Sequence, residues 1–317
     1  MTKMKNVVGV FVLLALFLPL STDAKDKSKI DDKKLKAENI QIHEKKYLPV
    51  TGKGKPTGKP GTAAPFSATG TLGDQVLGER YAVVVGVCDY PGTANDICKS
   101  DGDAWNMNDA LLNRYGFNPA NVYLLRDSEA KYGSIAGALN DILAKVTPQD
   151  EIIFFFSGHG TTANVADGDK ENIDEGIVVW GDNDDFNYIW DGQLKSWFSN
   201  FPNARNIFIF DSCKAGGMND VAKDGRVVVM SSAEKENSFV YTQGEYGEGL
   251  FSHFFVKEGM LDGLADSYNT QNVSDTKVAL EEAAMYAKEK VSWFANTYLW
   301  HSQTVNINDL FLNDLLF

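Results

Sequence analysis

The two stretches EIIFFFSGHG (residues 151–160) and NIFIFDSCKAGG (residues 206–217) decide the fold. Each begins with a short, continuous apolar run, which is typical of a strand buried on both faces. Each run then ends at glycines and small polar residues, where the backbone can turn sharply. Two such strands indicate a parallel sheet with both faces covered.

The same pattern extends along the chain in both directions. Further strands are predicted at 81–87, 122–125, 177–180 and 227–230, and helices at 103–115, 134–146, 193–198, 249–259 and 276–291. Strands that alternate with helices require right-handed crossovers, which place helices on both faces of the sheet. The prediction is one α/β domain over residues 71–317.

The first 24 residues have the layout of a secretory signal peptide. Two lysines precede an apolar run of 14 residues, Val7–Leu20, and small residues lead to a cleavage position after Ala24. An uncleaved membrane anchor is the alternative, although a span needs about 20 apolar residues. We therefore expect a secreted or extracytoplasmic protein without a membrane span after removal of the signal.

Residues 25–70 are predicted to be a basic linker or pro-segment. Residues 25–60 hold 11 lysines against 5 acidic residues, and their second half is rich in glycine, proline and threonine. Ile40–Val50 is the part most compatible with a short strand or docking segment. Residues 61–317 are strongly acidic, with 17 Lys or Arg against 37 Asp or Glu. Such a domain repels nucleic acid and favours cationic substrates or divalent cations.

A histidine and a cysteine stand at the ends of the two deciding strands. His159 follows the first and Cys213 the second, and sites in open parallel sheets form beyond the carboxyl ends of the strands. A thiol attacks a peptide carbonyl as the thiolate, and an imidazole supplies the base and then protonates the leaving amine. We predict Cys213 as nucleophile, His159 as acid–base partner, and the N–H groups of Gly160 and Cys213 as oxyanion donors.

The chain has three cysteines, so an exported form has at least one unpaired thiol. Cys88 and Cys98 are ten residues apart across a Pro-Gly turn. Two hypotheses remain open: a disulfide between Cys88 and Cys98, or a buried Cys88 at the end of a strand. In both, Cys213 is expected to be the unpaired cysteine.

The motifs SGHG and DSCKAG together resemble the metacaspases, which belong to the caspase-haemoglobinase clan of cysteine peptidases. Caspases carry Q-A-C-x-G with a histidine about 50 residues upstream, and here His159 lies 54 residues before Cys213. The likeness extends from Arg80 to about Val291 and implies the clan's fold, a mostly parallel sheet flanked by helices on both faces. It also implies an endopeptidase that needs no cofactor for its chemistry and is a monomer.

Metacaspases cleave after arginine or lysine, so the resemblance implies an acidic pocket for that side chain. Asp103 and Asp211 match its carboxylates, and Ser100 and Ser157 line the same pocket. Paired carboxylates bind guanidinium and ammonium groups strongly. The alternatives are a helix-terminal role for Asp103 and a loop-ordering role for Asp211.

The lysines of the basic segment are the residue type that such a pocket accepts. This suggests self-cleavage within residues 25–59, although a flexible spacer is equally compatible with the composition.

Residues 167–191 contain nine acidic residues and one lysine, and clustered carboxylates suit Ca²⁺. Many metacaspases are activated by calcium, and the resemblance implies ligands near Asp191 and Asp220. The pattern is incomplete, because Gly192 stands where the family often has a second acid. A solvated acidic loop is the alternative.

Two other functions remain open on the sequence. One is a legumain-like, gingipain-like or clostripain-like peptidase with a different preference at the cleaved position. The other is a caspase-like scaffold module without catalysis, although such modules usually lose the histidine or the cysteine.

Overall fold

The structure, a computed structural model, describes residues 29–48, 68–92, 96, 99–168, 172–202, 205–241 and 248–317. The predicted signal peptide and Cys98 lie outside these residues. Cys88 is buried just after a strand, where its sulfur accepts a hydrogen bond from the N–H of Lys99. None of the helices in the described ranges has the length and apolar character that crossing a bilayer requires.

The strands of the described residues are β1 (Ala37–His43), β2 (Lys46–Tyr47), β3 (Arg80–Gly86), β4 (Val122–Arg126), β5 (Glu151–Ser157), β6 (Gly160–Val165), β7 (Asp174–Trp180), β8 (Phe186–Trp190), β9 (Arg205–Asp211), β10 (Arg226–Met230), β11 (Phe239–Tyr241), β12 (Glu248–Gly249) and β13 (Asn306–Asp309). The α-helices are α1 (Ser100–Asp109), α2 (Tyr132–Leu143), α3 (Asp191–Phe198), α4 (Leu250–Ser252) and α5 (Leu280–Phe294). Helices α1, α4 and α5 continue into π-helical segments, which are Ala110–Arg114, His253–Leu261 and Ala295–Leu299. All five predicted helices are therefore present, with shifted ends.

Six strands form the central sheet, in the order β13–β10–β9–β5–β3–β4. Neighbours from β10 to β4 are parallel, and β13 is antiparallel at the edge. Successive side chains of a strand point to opposite faces: Ile207 and Ile209 of β9 join one apolar cluster with α1 and α5, whereas Phe208 and Phe210 join a second with α2 and α3. The predicted α/β architecture, a mostly parallel sheet flanked by helices on both faces, is confirmed.

A second sheet, β1–β6–β7–β8, is antiparallel throughout. Its strands β7 and β8 form a hairpin from the acidic stretch that the sequence indicated as turn-rich, with a strand expected only at 177–180. The prediction missed β8 because the strand has only five residues and mixes buried with half-buried positions, so it is not a continuous apolar run. A small third sheet has the order β12–β11–β2.

The basic stretch predicted as a linker contributes the strands β1 and β2, which pair with β6 and β11. Lys45, between the two strands, is fully buried. This stretch therefore pairs with strands of the predicted 71–317 domain, as expected of a short strand or docking segment. Backbone hydrogen bonds and the buried ammonium of Lys45 attach this stretch to the rest of the protein. Neither interaction requires apolar residues at regular spacing, so the sequence showed no strand pattern here.

Candidate active site

The neighbouring strands β5 and β9 carry the predicted base and nucleophile. They are parallel and in register, with Ser157 opposite Asp211. His159 and Cys213 each lie two residues beyond that pair, so the sheet brings both to the same edge. A Cβ at Gly160 would lie 1.9 Å from the carbonyl oxygen of Cys213, which explains why glycine is needed where the two strand ends meet.

Tyr90, which the sequence analysis missed, holds the histidine. Its ring stacks on His159 with centroids 4.4 Å apart, and its oxygen accepts the N–H of His159 at 2.8 Å. The phenol donates in turn to the carbonyl of Val178 at 3.0 Å. Burial raises the pKa of Tyr90, which keeps this donor protonated. A Cβ at Gly158 would lie 2.6 Å from the phenol oxygen, so this glycine makes room for the tyrosine.

The two carboxylates predicted for an acidic pocket lie close together, and a lysine of the same chain lies between them. Lys45 Nζ lies 3.1 Å from Asp211 Oδ1 and 3.8 Å from Asp103 Oδ2. It also donates to Ser157 Oγ at 2.9 Å, and that hydroxyl donates to Asp103 at 2.6 Å. Three of the four predicted pocket residues therefore surround one buried ammonium.

The fourth predicted pocket residue, Ser100, is the first residue of α1 and is buried. Its hydroxyl makes no hydrogen bond within the part of the chain that the structure describes. The structure thus places Ser100 one turn before Asp103 on α1, without a hydrogen bond from its hydroxyl to the other predicted pocket residues.

Backbone and hydroxyl donors fix both carboxylates. Asp103 accepts the N–H of Gly249 at 3.1 Å, and Asp211 accepts the hydroxyls of Ser238 at 2.9 Å and Ser252 at 2.7 Å. Burial raises the pKa of Asp103 to about 7, with nearby Asp211 acting in the same direction and the Lys45 ammonium in the opposite one.

The peptide group between Glu44 and Lys45 forms hydrogen bonds with both Cys213 and His159. The thiol of Cys213 donates to the carbonyl oxygen of Glu44 at 3.3 Å, and the N–H of Lys45 donates to His159 Nδ1 at 3.2 Å. Burial raises the pKa of Cys213 to about 11, because the segment covers the sulfur. At neutral pH the sulfur is therefore a protonated thiol in this state.

A group of carboxylates lies at the far end of the second sheet. Within the described ranges, Asp167, Asp174 and Asp191 place one oxygen each within 4.8 Å of the others, close enough to hold a cation. Asp191 was predicted here, but Asp220 is not in the group and forms an ion pair with Lys195 at 3.2 Å. The structure therefore does not bring Asp220 together with the other carboxylates, and nothing in the sequence showed that a lysine of α3 lies beside it.

A histidine and a cysteine stand at adjacent strand ends of a mostly parallel α/β sheet, beside two buried carboxylates, and this is the arrangement expected of a caspase-like domain. Residues 80–222 match the family model described as metacaspase, peptidase C14 domain. This part of the chain is therefore similar to the C14 peptidase domain of the metacaspases, a family of cysteine peptidases.

Three metacaspases illustrate the similarity. Metacaspase-4 of Arabidopsis thaliana is 27% identical over 229 residues, covering 67% of this chain and 53% of that protein. Metacaspase-9 of the same plant is 32% identical over 155 residues, covering 46% of each. Metacaspase-1 of Kluyveromyces lactis is 26% identical over 155 residues, covering 46% of this chain and 36% of that protein. The chain thus spans about half the length of the curated relatives it matches or less.

Among solved structures, the Drosophila initiator caspase Dronc aligns with a TM-score of 0.48 and 12% identity. The alignment covers 90% of this chain and 94% of that one.

Proposed function

We propose that this protein is a cysteine endopeptidase that cleaves proteins or peptides after lysine or arginine, with Cys213 as nucleophile and His159 as acid–base partner. The observation that carries the proposal is the buried ammonium of Lys45 against Asp103 and Asp211. A buried charge is tolerated where opposite charges and hydrogen bonds surround it. The pocket therefore accommodates a long cationic side chain.

The chemistry follows from the positions of the two residues. His159 takes the thiol proton, and the sulfur of Cys213 bonds to the carbonyl carbon of the substrate. The C–N bond then breaks as the imidazolium gives its proton to the leaving amine, and water hydrolyses the thioester to release the acid. The N–H groups of Gly160 and Cys213 are the proposed donors to the oxyanion.

Peptide cleavage tests this function directly. Fluorogenic peptides that end in Arg, Lys, Asn or Asp are compared, with and without calcium, on the wild-type chain and on Cys213→Ala. Turnover after Arg or Lys that disappears in the variant is expected. Turnover after Asn or Asp would contradict the pocket assignment, and no turnover after removal of residues 25–48 would favour a scaffold.

We also propose that calcium binds at Asp167, Asp174 and Asp191. All three donors are carboxylate oxygens, the ligand type that Ca²⁺ prefers. A Cβ at Gly192 would lie 2.2 Å from Asp167 Oδ2, so the Asp167 carboxylate occupies the space that an acidic side chain at position 192 would need. This supports Asp167 as the substitute for the acid that the family often has there.

Calorimetry separates calcium binding from activity. Titration of the chain with Ca²⁺ is compared with Asp167→Asn and with the exposed Asp184→Asn as control. Loss of the binding heat in Asp167→Asn alone is expected. Equal binding by all three chains would contradict the site.

Export and self-processing complete the proposal. Both are supported by the sequence, through the signal-peptide layout of residues 1–24 and the lysines of residues 25–59. N-terminal sequencing of the secreted protein tests export and self-processing. A start at Lys25 that later shortens is expected, and a start upstream of Lys25 that never shortens would contradict both proposals.

We also propose that the enzyme is a monomer, and this part of the proposal rests on the resemblance alone.

A further inference from the structure

A cavity of about 510 Å³ lies at the end of the central sheet opposite His159 and Cys213. Arg80 and Arg205, the first residues of β3 and β9, form part of its wall. His159 and Cys213 follow the other ends of these parallel strands, and the seven residues of β9 alone span about 20 Å. The volume lies within the range of about 300–1,000 Å³ that is usual for small-molecule sites. The cavity is therefore large enough for a ligand and separate from the proposed catalytic site.

The charge of this cavity is opposite to that of the surrounding domain. Residues 61–317 hold 17 Lys or Arg against 37 Asp or Glu, but none of the described residues that line the cavity is acidic. Four of its lining residues are basic, namely Arg80, Arg114, Arg205 and Lys277. Charges farther away than about 8–10 Å are largely screened at physiological ionic strength, so the nearby cations determine what the cavity binds. Like charges around one cavity repel one another, and an anion between them removes this repulsion.

Arg114 and Lys277 are available to a ligand. Both are exposed, and within the described ranges neither side chain forms an ion pair or a hydrogen bond. Arg114 ends the π-helical segment that continues α1, whereas Lys277 lies just before α5, so the two cations come from different elements. Arginine presents a planar fork that binds paired oxygens, and lysine adds a point charge on a flexible stem. Neither residue has to give up a described partner when an anion enters.

The other two cations, Arg80 and Arg205, are fixed in the wall. Arg80 donates to the main-chain oxygens of Phe317 at 2.7 Å and Gly116 at 3.1 Å. Arg205 is buried, and its Nε is paired with Glu151. A guanidinium has more N–H donors than the two bonds of Arg80 use. Arg80 can therefore also contact a ligand, whereas the charge of Arg205 is already offset by a carboxylate.

We propose that this cavity is a binding site for a small anion that carries two or more phosphate groups. Each phosphate group has a charge of about −1.5 to −2 at neutral pH, so two of them balance Arg80, Arg114 and Lys277. Each carboxylate has a smaller charge, so a carboxylate ligand needs more groups to balance the same cations. Arginine also binds phosphate oxygens in pairs, which gives the site geometric selectivity. The inference does not depend on the proposed peptidase function.

Calorimetric titration of the full chain with tripolyphosphate tests the site. Arg114→Gln and Lys277→Gln each remove one cation without breaking a described contact, so both variants should fold. Arg126→Gln is the matched control, because it removes the same charge from the last residue of β4, at the other end of the sheet. The buffer is free of divalent metal ions, which tripolyphosphate would otherwise chelate. Citrate, whose charges are all on carboxylates, is titrated in parallel.

We expect one tripolyphosphate to bind per chain, with a dissociation constant about tenfold higher or more in Arg114→Gln and Lys277→Gln and unchanged in Arg126→Gln. Added sodium chloride should weaken the binding, because salt screens the attraction. The proposal would be overturned by absence of binding to the wild-type chain at millimolar tripolyphosphate. Equal affinities in all four chains, or equal losses in all three variants, would overturn it as well. Citrate that binds as tightly as tripolyphosphate would overturn the assignment of the ligand as a phosphate compound.

Discussion

Lys45 Nζ lies 3.1 Å from Asp211 Oδ1, and both side chains are fully excluded from solvent. Two charges in that position attract each other strongly, but each has also lost its water. Asp103, Ser157, Ser238 and Ser252 complete the hydrogen bonding around the pair. Under the proposed function, the cationic side chain of a substrate would replace the lysine in the same set of contacts.

Neutralising either pocket carboxylate should weaken cleavage after lysine. Removing one partner of a buried, hydrogen-bonded charge pair costs about 2–5 kcal/mol, so kcat/KM in Asp103→Asn or Asp211→Asn should fall by about 30-fold or more. Lys and Arg peptides are measured on chains freed of residues 25–48. Asp101→Asn, on the same helix but partly exposed and paired with Arg126, is the control and should stay near wild type.

Acidification should weaken cation binding in the pocket. Burial raises the pKa of Asp103 to about 7 with Lys45 in place, so this carboxyl is ionised above that pH and neutral below it. The inhibition constant of n-butylamine, a lysine side-chain analogue, should therefore rise as the pH falls through neutrality.

The matched control for the pH effect is Asp103→Asn, in which the inhibition constant of n-butylamine should lose most of its pH dependence. An unchanged pH profile in that variant would assign the titration to another group. The inhibition constant is compared rather than kcat, because proton transfer between His159 and Cys213 during catalysis makes kcat itself depend on pH.

Gly249 should control the size of the pocket. A Cβ at this position would lie 2.1 Å from Asp211 Oδ2 and 2.7 Å from Lys45 Nζ. Its φ of −56° suits any residue, so Gly249→Ala changes the space and not the backbone. We expect kcat/KM for Lys peptides to fall by about tenfold or more, since misplacement by an ångström is costly. Gly133→Ala, in open space on α2, is the control, and equal losses would exclude a role for pocket size.

Removing the hydroxyl of Tyr90 should weaken the hold of the backbone on the position of His159. Tyr90→Phe keeps the stacked ring but leaves the buried N–H of His159 without its acceptor, at a cost of about 1–3 kcal/mol. We expect a lower melting temperature and a reduced kcat with little change in KM for Lys peptides. Tyr188→Phe in β8 is the control. A KM effect in place of a kcat effect would show that Tyr90 acts on substrate binding.

The sequence predicted the central sheet and the positions of His159 and Cys213 because these features are local. Continuous apolar runs mark strands buried on both faces, and the reactive residues follow directly from the strand ends. Asp103 and Asp211 required the family resemblance, since nothing between them in the chain shows that α1 and β9 meet at one pocket.

The features that the sequence did not predict depend on contacts between distant segments. Tyr90 reaches His159 across 69 residues, and the Lys45 backbone reaches it across 114. Lys45 stands in a lysine-rich stretch that composition alone indicates as solvated. Its burial follows from the carboxylates that it meets, and no pattern within residues 25–60 encodes them.

Because β5 and β9 are paired in a fixed register, evolution can change the amino acids of these two strands more easily than their lengths. Substitutions among isoleucine, valine and phenylalanine can accumulate in both strands, because either face accepts an apolar side chain of suitable size. A single-residue deletion in one strand is different. It would exchange the side chains of Phe208 and Ile209 between the two apolar clusters and also shift Cys213 relative to His159. Among descendants of this gene, we expect insertions and deletions to be rare in residues 151–159 and 205–213, even where the amino acids have diverged.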